Sequence, residues 1–211
     1  MTPLYGIAGP VKPIQRKPKN LIRNGCTVIH SSMIRDMGYI DELISCLKEI
    51  DDGAITTIAR TLRACQGTVY VLGNGGSQAN ASHLVLHLIE CGIRARDVMG
   101  ETAWLTASAN DHSYEASAAR LLVLTGREGD ALLVLSGSGN SPNVVLALTE
   151  AKGRGMMTLG FLGFGGGAAR GLCDCALVLT SKEYGPVEDS HSAAIHILAG
   201  LLHQQNKGGG K

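Results

Sequence analysis

The stretch that most constrains the fold spans residues 69–87: Val-Tyr-Val-Leu-Gly-Asn-Gly-Gly-Ser-Gln-Ala-Asn-Ala-Ser-His-Leu-Val-Leu-His. Val69–Leu72 favour β-structure and burial. Gly73, Gly75 and Gly76 then make a turn that side chains would obstruct, and from Ser77 the pattern becomes helical. A strand, a glycine turn and a helix start together present free backbone N–H groups and the positive end of a helix dipole. The Ser77 hydroxyl adds a donor, so phosphate is the natural guest; the plain alternative is a tight turn that holds nothing. No Lys-Ser/Thr follows and Gly-x-Gly-x-x-Gly is absent, so this is neither a P-loop nor a dinucleotide fingerprint. On the same helix His83 and His87 stand four residues apart, share a face and can meet one metal ion. No Glu follows His83, which excludes the zinc-protease motif; such a pair is also common on surfaces and in cores.

The rest of the chain alternates strands with helices. Helical spacing is expected between about 32 and 65, with Asp51 and Asp52 capping a second segment that presents Ile55, Ile58, Ala59 and Leu62. A second strand is expected at 103–107, followed by a polar loop at 108–111 and a helix over 114–124. The run 131–135 reads as a central parallel strand. It ends in Ser136-Gly137-Ser138-Gly139-Asn140-Ser141-Pro142, with Ser141 as cap and Pro142 in the first turn of a helix reaching about 153. This second serine turn before a helix strengthens the phosphate reading. Strands at 156–162 and 175–180 and a final helix over 187–203 complete the pattern. The expected fold is α/β: a three-layer sandwich around a five-stranded parallel sheet, with ligands at the carboxyl ends of the strands. The helices before residue 69 have no obvious place in such layers and are expected to pack against another subunit. Residues 1–30 read as a mobile basic, proline-rich arm, 31–205 as the domain and 206–211 as a frayed tail.

Composition narrows the function. Apolar residues are 45% and charged residues 18%, as in soluble globular proteins. A formal charge of +1 and 4% aromatics give no pull toward nucleic acid and few stacking platforms for it. No window is apolar enough to span a bilayer, and the first residues lack the apolar core of a signal peptide. Cys26, Cys46, Cys65, Cys91, Cys173 and Cys175 form no Cys-x-x-Cys and suit reduced thiols, so a cytoplasmic location is expected. The final helix carries Glu188, Asp189, His191 and His196; acids suit its first turn, and a histidine on an apolar helix is ordinarily a core residue.

With these residues in place the chain resembles the phosphoheptose isomerase family of sugar isomerase (SIS) domain proteins, over roughly 36–202. Three motifs carry the resemblance: Gly-Asn-Gly-Gly-Ser at 73–77 with Ala-Ser-His at 81–83, Ser-Gly-Ser-Gly-Asn-Ser at 136–141, and Val-Glu-Asp-x-His at 187–191 followed by Ile-His at 195–196. Asn110-Asp111 matches a further family loop. The resemblance implies isomerisation of sedoheptulose 7-phosphate to a glycero-manno-heptose 7-phosphate, the first step of heptose-nucleotide biosynthesis, in a homotetramer with a central helical bundle and active sites between subunits. It implies substrate and phosphate contacts from Asn74, Gly75, Ser77, Asn110, Asp111, Ser136, Ser138 and Ser141. It also implies zinc at His83, His87, Glu188 and His196.

The chain departs from the family at the chemistry. His87 stands where the family has a catalytic Glu, Glu188 where it commonly has Gln, and Gly185 where enterobacterial-type members have Asp. Imidazole and carboxylate both suit zinc, so a metal-capable set remains. Ketose–aldose isomerisation needs a base, a proton carrier and oxyanion stabilisation, for which Glu188, His196 and His87 are the available groups. Glu188 and His196 lie about 12 Å apart along a straight helix. Both reach one ion only if Glu188 opens the helix and points inward, or if two subunits contribute. Two other readings stay open: an isomerase of another sugar phosphate, and a non-catalytic SIS-domain protein of the type that binds the replication initiator.

Overall fold

The computed structural model describes residues 38–206; the arm expected at 1–30 lies outside them, as does the tail expected at 206–211 except for Asn206, which ends the last helix. The elements run α1 (Tyr39–Lys48), α2 (Asp52–Ala64), β1 (Val69–Leu72), α3 (Gly75–Glu90), β2 (Ala95–Asp97), α4 (Thr102–Asp111), α5 (Tyr114–Thr125), β3 (Ala131–Ser136), α6 (Pro142–Gly153), β4 (Met157–Leu162), two short 3-10 turns, β5 (Cys175–Val178) and α7 (Tyr184–Asn206). The sheet is parallel throughout, in the order β2-β1-β3-β4-β5, with Val69 opposite both Ala95 and Ala131, Ala131 opposite Met157 and Leu159 opposite Cys175. The expected three-layer, five-stranded α/β fold is therefore present.

Strand alternation sends side chains to two apolar layers. Val69, Val71, Leu133 and Leu135 meet α2, α3 and α7 on one face. Tyr70, Leu72, Leu132 and Val134 meet α5 and α6 on the other. Asp51 caps α2 as its position predicts, accepting from the Gly53 N–H at 2.8 Å. Pro142 opens α6.

Two expectations are corrected. The segment 103–107 is not a strand but the middle of α4, and the second strand is Ala95–Asp97. A five-residue apolar run is ambiguous between the two states, and Ala-rich segments favour helix once neighbours do not demand a strand. The true β2 is a three-residue edge strand containing Arg96 and Asp97, too short and too charged to signal itself.

The second correction concerns α2. It does have a place on the sheet: its Ile55, Ile58 and Leu62 are buried in the main core beside Ala194, Ile195, Leu198 and Leu202 of α7. The reason is topological. From β2 through β3 and β4 to β5 the chain moves one way across the sheet, so α5, α6 and the short 3-10 turns all fall on the opposite face, and α2 and α7 cover what α3 leaves of this one. Helix α1 keeps an apolar side toward solvent, with Ile40 and Ile44 exposed. Its inner side is pinned to α7 by the Tyr39 hydroxyl donating to Asp189 at 2.6 Å, and Glu49 accepts from the Thr180 N–H and hydroxyl after β5. Among the described residues, no helix is long and apolar enough to cross a membrane.

Candidate functional site

The sheet order reverses between β1 and β3: the chain leaves β1 toward β2 on one side and returns to β3 on the other. The crevice at the carboxyl ends of two such strands is where open α/β sheets bind ligands. Both serine turns open there. A cavity of 60 Å³ is lined by Asn74, Ser77, Ser136, Ser138, Ser141 and Glu188, with Tyr184 at its side. Ser136 Oγ accepts from the Gly139 N–H at 3.0 Å and Ser138 Oγ from the Asn140 N–H at 3.2 Å. Each hydroxyl keeps its own proton to donate. Ser141 stands at the N-cap of α6 as expected but makes no side-chain cap bond. The starts of α3 and α6 both present backbone N–H groups here. Among the described residues no Lys or Arg lines this cavity, and the groups they offer an anion are hydroxyls and backbone dipoles.

The second turn is braced by the glycine-rich segment after β4. Gly139 has φ +64°, and a Cβ there would run into the Gly166 carbonyl oxygen. Ala169 N–H donates to the Gly139 carbonyl and Ala168 N–H to Asn140 Oδ1, both at 2.9 Å. The first turn is braced by residues that sequence reasoning did not single out. Buried Asn143 exchanges amide hydrogen bonds with Asn74 at 2.8 and 2.9 Å, and the Tyr114 hydroxyl donates to Asn74 Oδ1 at 2.6 Å. Gln78 accepts from the Gly73 N–H and donates to Asp97. The available signal was an amide placed in the first turn of a helix that follows a ligand loop. Gly75 begins α3 but does not line the cavity. Asn110 and Asp111 close α4, exposed and bonded to each other, and do not line the cavity.

A second group lies along α3. The ligand atoms of His83, His87 and His196 all fall within 4.8 Å of one another. His83 Nε2 and His87 Nε2 are 3.1 Å apart, and the His196 ring stands edge-on to both. Desolvation, then the two neighbouring imidazoles, hold the His83 pKa below its ordinary value, which keeps its lone pair free at neutral pH. Glu90, also unremarked in the sequence, lies 3.5 Å from His87 Nδ1. A carboxylate on the far nitrogen fixes a ring so that the other nitrogen faces a metal. Three clustered imidazoles with such a brace fit zinc.

Glu188, expected as the fourth ligand, is not part of that cluster. Helix α7 begins at Tyr184, a turn earlier than expected, so Glu188 lies inside the helix rather than at its mouth. Asn80 donates to its carbonyl at 2.8 Å, and its carboxylate meets the start of α3, accepting from the Ser77 hydroxyl at 3.3 Å.

His191, one turn on, is fully buried against Phe161, and neither ring nitrogen has a hydrogen-bond partner. Burial pushes its pKa down from 6.5 to about 4, against a weaker opposing pull from the Leu162 backbone. The unfolded chain thus takes up a proton near pH 6.5 that the folded chain resists until about pH 4. Stability from this residue is whole above pH 6.5 and falls as pH drops toward 4, by about 3 kcal/mol in all. Urea midpoints measured across that window should drop steeply, and His191→Leu should flatten the slope; an unchanged slope in the variant would place the acid sensitivity elsewhere.

Comparison with known proteins agrees with this architecture. A family profile described as the SIS domain matches residues 38–163. A phosphoheptose isomerase of Burkholderia pseudomallei (strain K96243) is 35% identical over 168 residues, covering 77% of this chain and 83% of that protein. One of Pelodictyon phaeoclathratiforme (strain DSM 5477 / BU-1) is 41% identical over 150 residues, covering 65% and 70%. The solved phosphoheptose isomerase of Francisella tularensis superposes with a TM-score of 0.76 at 27% identity, over 82% of this chain and 99% of that one. By the family match and by these relatives, the chain belongs to the phosphoheptose isomerases, enzymes built on the SIS domain.

Proposed function

We propose that the enzyme isomerises sedoheptulose 7-phosphate to a glycero-manno-heptose 7-phosphate through an enediolate, in the cytoplasm, as the first step toward nucleotide-activated heptose. The observation that carries this reading is the convergence of two hydroxyl-bearing turns on the start of α3, a helix that also bears His83 and His87. From Ser77 to His83 is about 9 Å along the helix axis. A sugar phosphate gripped at Ser77, Ser136, Ser138 and Ser141 then reaches toward the imidazoles with its carbonyl end. The grip supplies positioning and binding energy remote from the reacting carbons. Glu188 is the carboxylate that takes the carbon-bound proton, and His196 carries a proton between the neighbouring oxygens when its lone pair is not engaged by a metal. Zinc, when held by His83, His87 and His196, supplies polarisation of the carbonyl and stabilisation of the oxyanion.

NMR of the products formed from sedoheptulose 7-phosphate, with and without added zinc, tests the reading. No conversion would redirect the search to other sugar phosphates. Ser138→Ala should raise KM by about ten- to hundredfold with a smaller change in kcat, because a hydrogen bond to a charged group contributes about 1.5–3 kcal/mol. Unchanged kinetics would remove Ser138 from the phosphate grip.

We also infer a homotetramer whose active sites lie between subunits. The exposed apolar side of α1 and the exposed Leu86, Ile89 and Ile197 near the imidazoles support it. Sedimentation at micromolar concentration should give about four times the chain mass. A monomer would count against shared sites.

A further inference from the structure

We propose that Glu188 is a built-in occupant of the phosphate cradle and that an incoming phosphate displaces it. Phosphate binding and release of this carboxylate are then one event. The proposal rests on the phosphate-binding reading above and adds an order of events within the same site.

The Ser77 hydroxyl has one proton to donate, and Glu188 Oε1 now receives it. Ser77 can bind a phosphate oxygen as a donor only after Glu188 lets go. The carboxylate also takes the space. It lies so close over Gly76 that a Cβ on that residue would overlap it, and Gly76 is in the first turn of α3, where an anion is favoured. The absence of a side chain at Gly76 is what lets a carboxylate sit there. Glu188 further forms a wall of the same cavity as Ser136, Ser138 and Ser141, and among the described residues no cation lines that cavity to offset two anions at once.

The seat is loosely held. At 3.3 Å the Ser77 contact is long for a hydroxyl donating to a carboxylate, which ordinarily closes to about 2.5–2.7 Å. A phosphate brings more acceptor oxygens than the carboxylate and can use all four serine hydroxyls. Once expelled, the carboxylate is free to face the sugar carbons, where the proposed function needs it. Sugars without a phosphate leave it in the cradle. Glu188 is in this sense a specificity-determining residue: the ligand's anion frees the carboxylate needed for proton abstraction.

Calorimetric titration of the purified full-length protein with inorganic phosphate tests this, comparing wild type with Glu188→Gln and Glu188→Ala, each checked for native circular dichroism. Removing the competing charge should tighten phosphate binding about tenfold in both variants. Equal or weaker binding by the folded variants overturns the displacement while leaving the cradle intact. If the wild type and both variants all fail to bind phosphate, the cradle reading itself falls and the proposal with it.

Discussion

Glu188→Gln should abolish exchange of solvent deuterium into the substrate carbons while the protein keeps its fold and the zinc proposed for its imidazoles. Glutamine is close in size and can still meet the Ser77 hydroxyl, so packing at the start of α3 is preserved. What it cannot do is accept a proton from carbon at neutral pH. A positioned general base accounts for about 10²–10⁴ in rate, and kcat should fall by at least that range. The metal should persist, because the clustered imidazoles come from His83, His87 and His196. KM should not rise with the loss of kcat, since removing a carboxylate from the phosphate cradle favours the substrate's anion. Proton NMR of substrate incubated in deuterated buffer reads the exchange step apart from turnover. Exchange at near wild-type rate in Glu188→Gln would move the base to His196 or His87.

His87→Gln should lose zinc before it loses structure. His87 presents Nε2 toward His83 and has Glu90 beside Nδ1, so its lone pair and its tautomer both serve the cluster. If His87 holds the metal through that lone pair, it cannot also act as base. Removing one of three imidazoles should drop metal affinity by several orders of magnitude. The fold should survive, because Leu84 and Leu88, not His87, fill the core from α3. Elemental analysis after gentle purification gives the metal content, and a thermal melt gives the stability. Glu90→Gln provides the graded companion, with affinity expected to fall about 10–100-fold. Full metal content in His87→Gln would remove that ring from the ligand set.

Much of this enzyme was legible in the chain. Parallel strands buried on both faces are continuous apolar runs, so β1, β3 and β4 show themselves from local composition. The serine turns declare themselves equally well, because a glycine where the chain must bend and a hydroxyl at a helix start are local requirements. The pairing of His83 with His87 follows from helical spacing alone.

What the chain did not disclose depends on who packs against whom. Whether 103–107 forms strand or helix was settled by the edge of β1 going to Ala95–Asp97 instead. Helices α2 and α7 joined the core because every connection from β2 onward crosses on the opposite face, which left this one to α3 alone. The amide pair of Asn74 with Asn143 joins residues 69 positions apart, a contact that no local pattern encodes. Glu188 is the sharpest case. Its residue type announces a carboxylate, but its placement beside Ser77 rather than among the imidazoles was decided by where α7 begins and how it lies along α3. Local chemistry determined which groups this site would contain; packing of helices distant in sequence decided which of them meet.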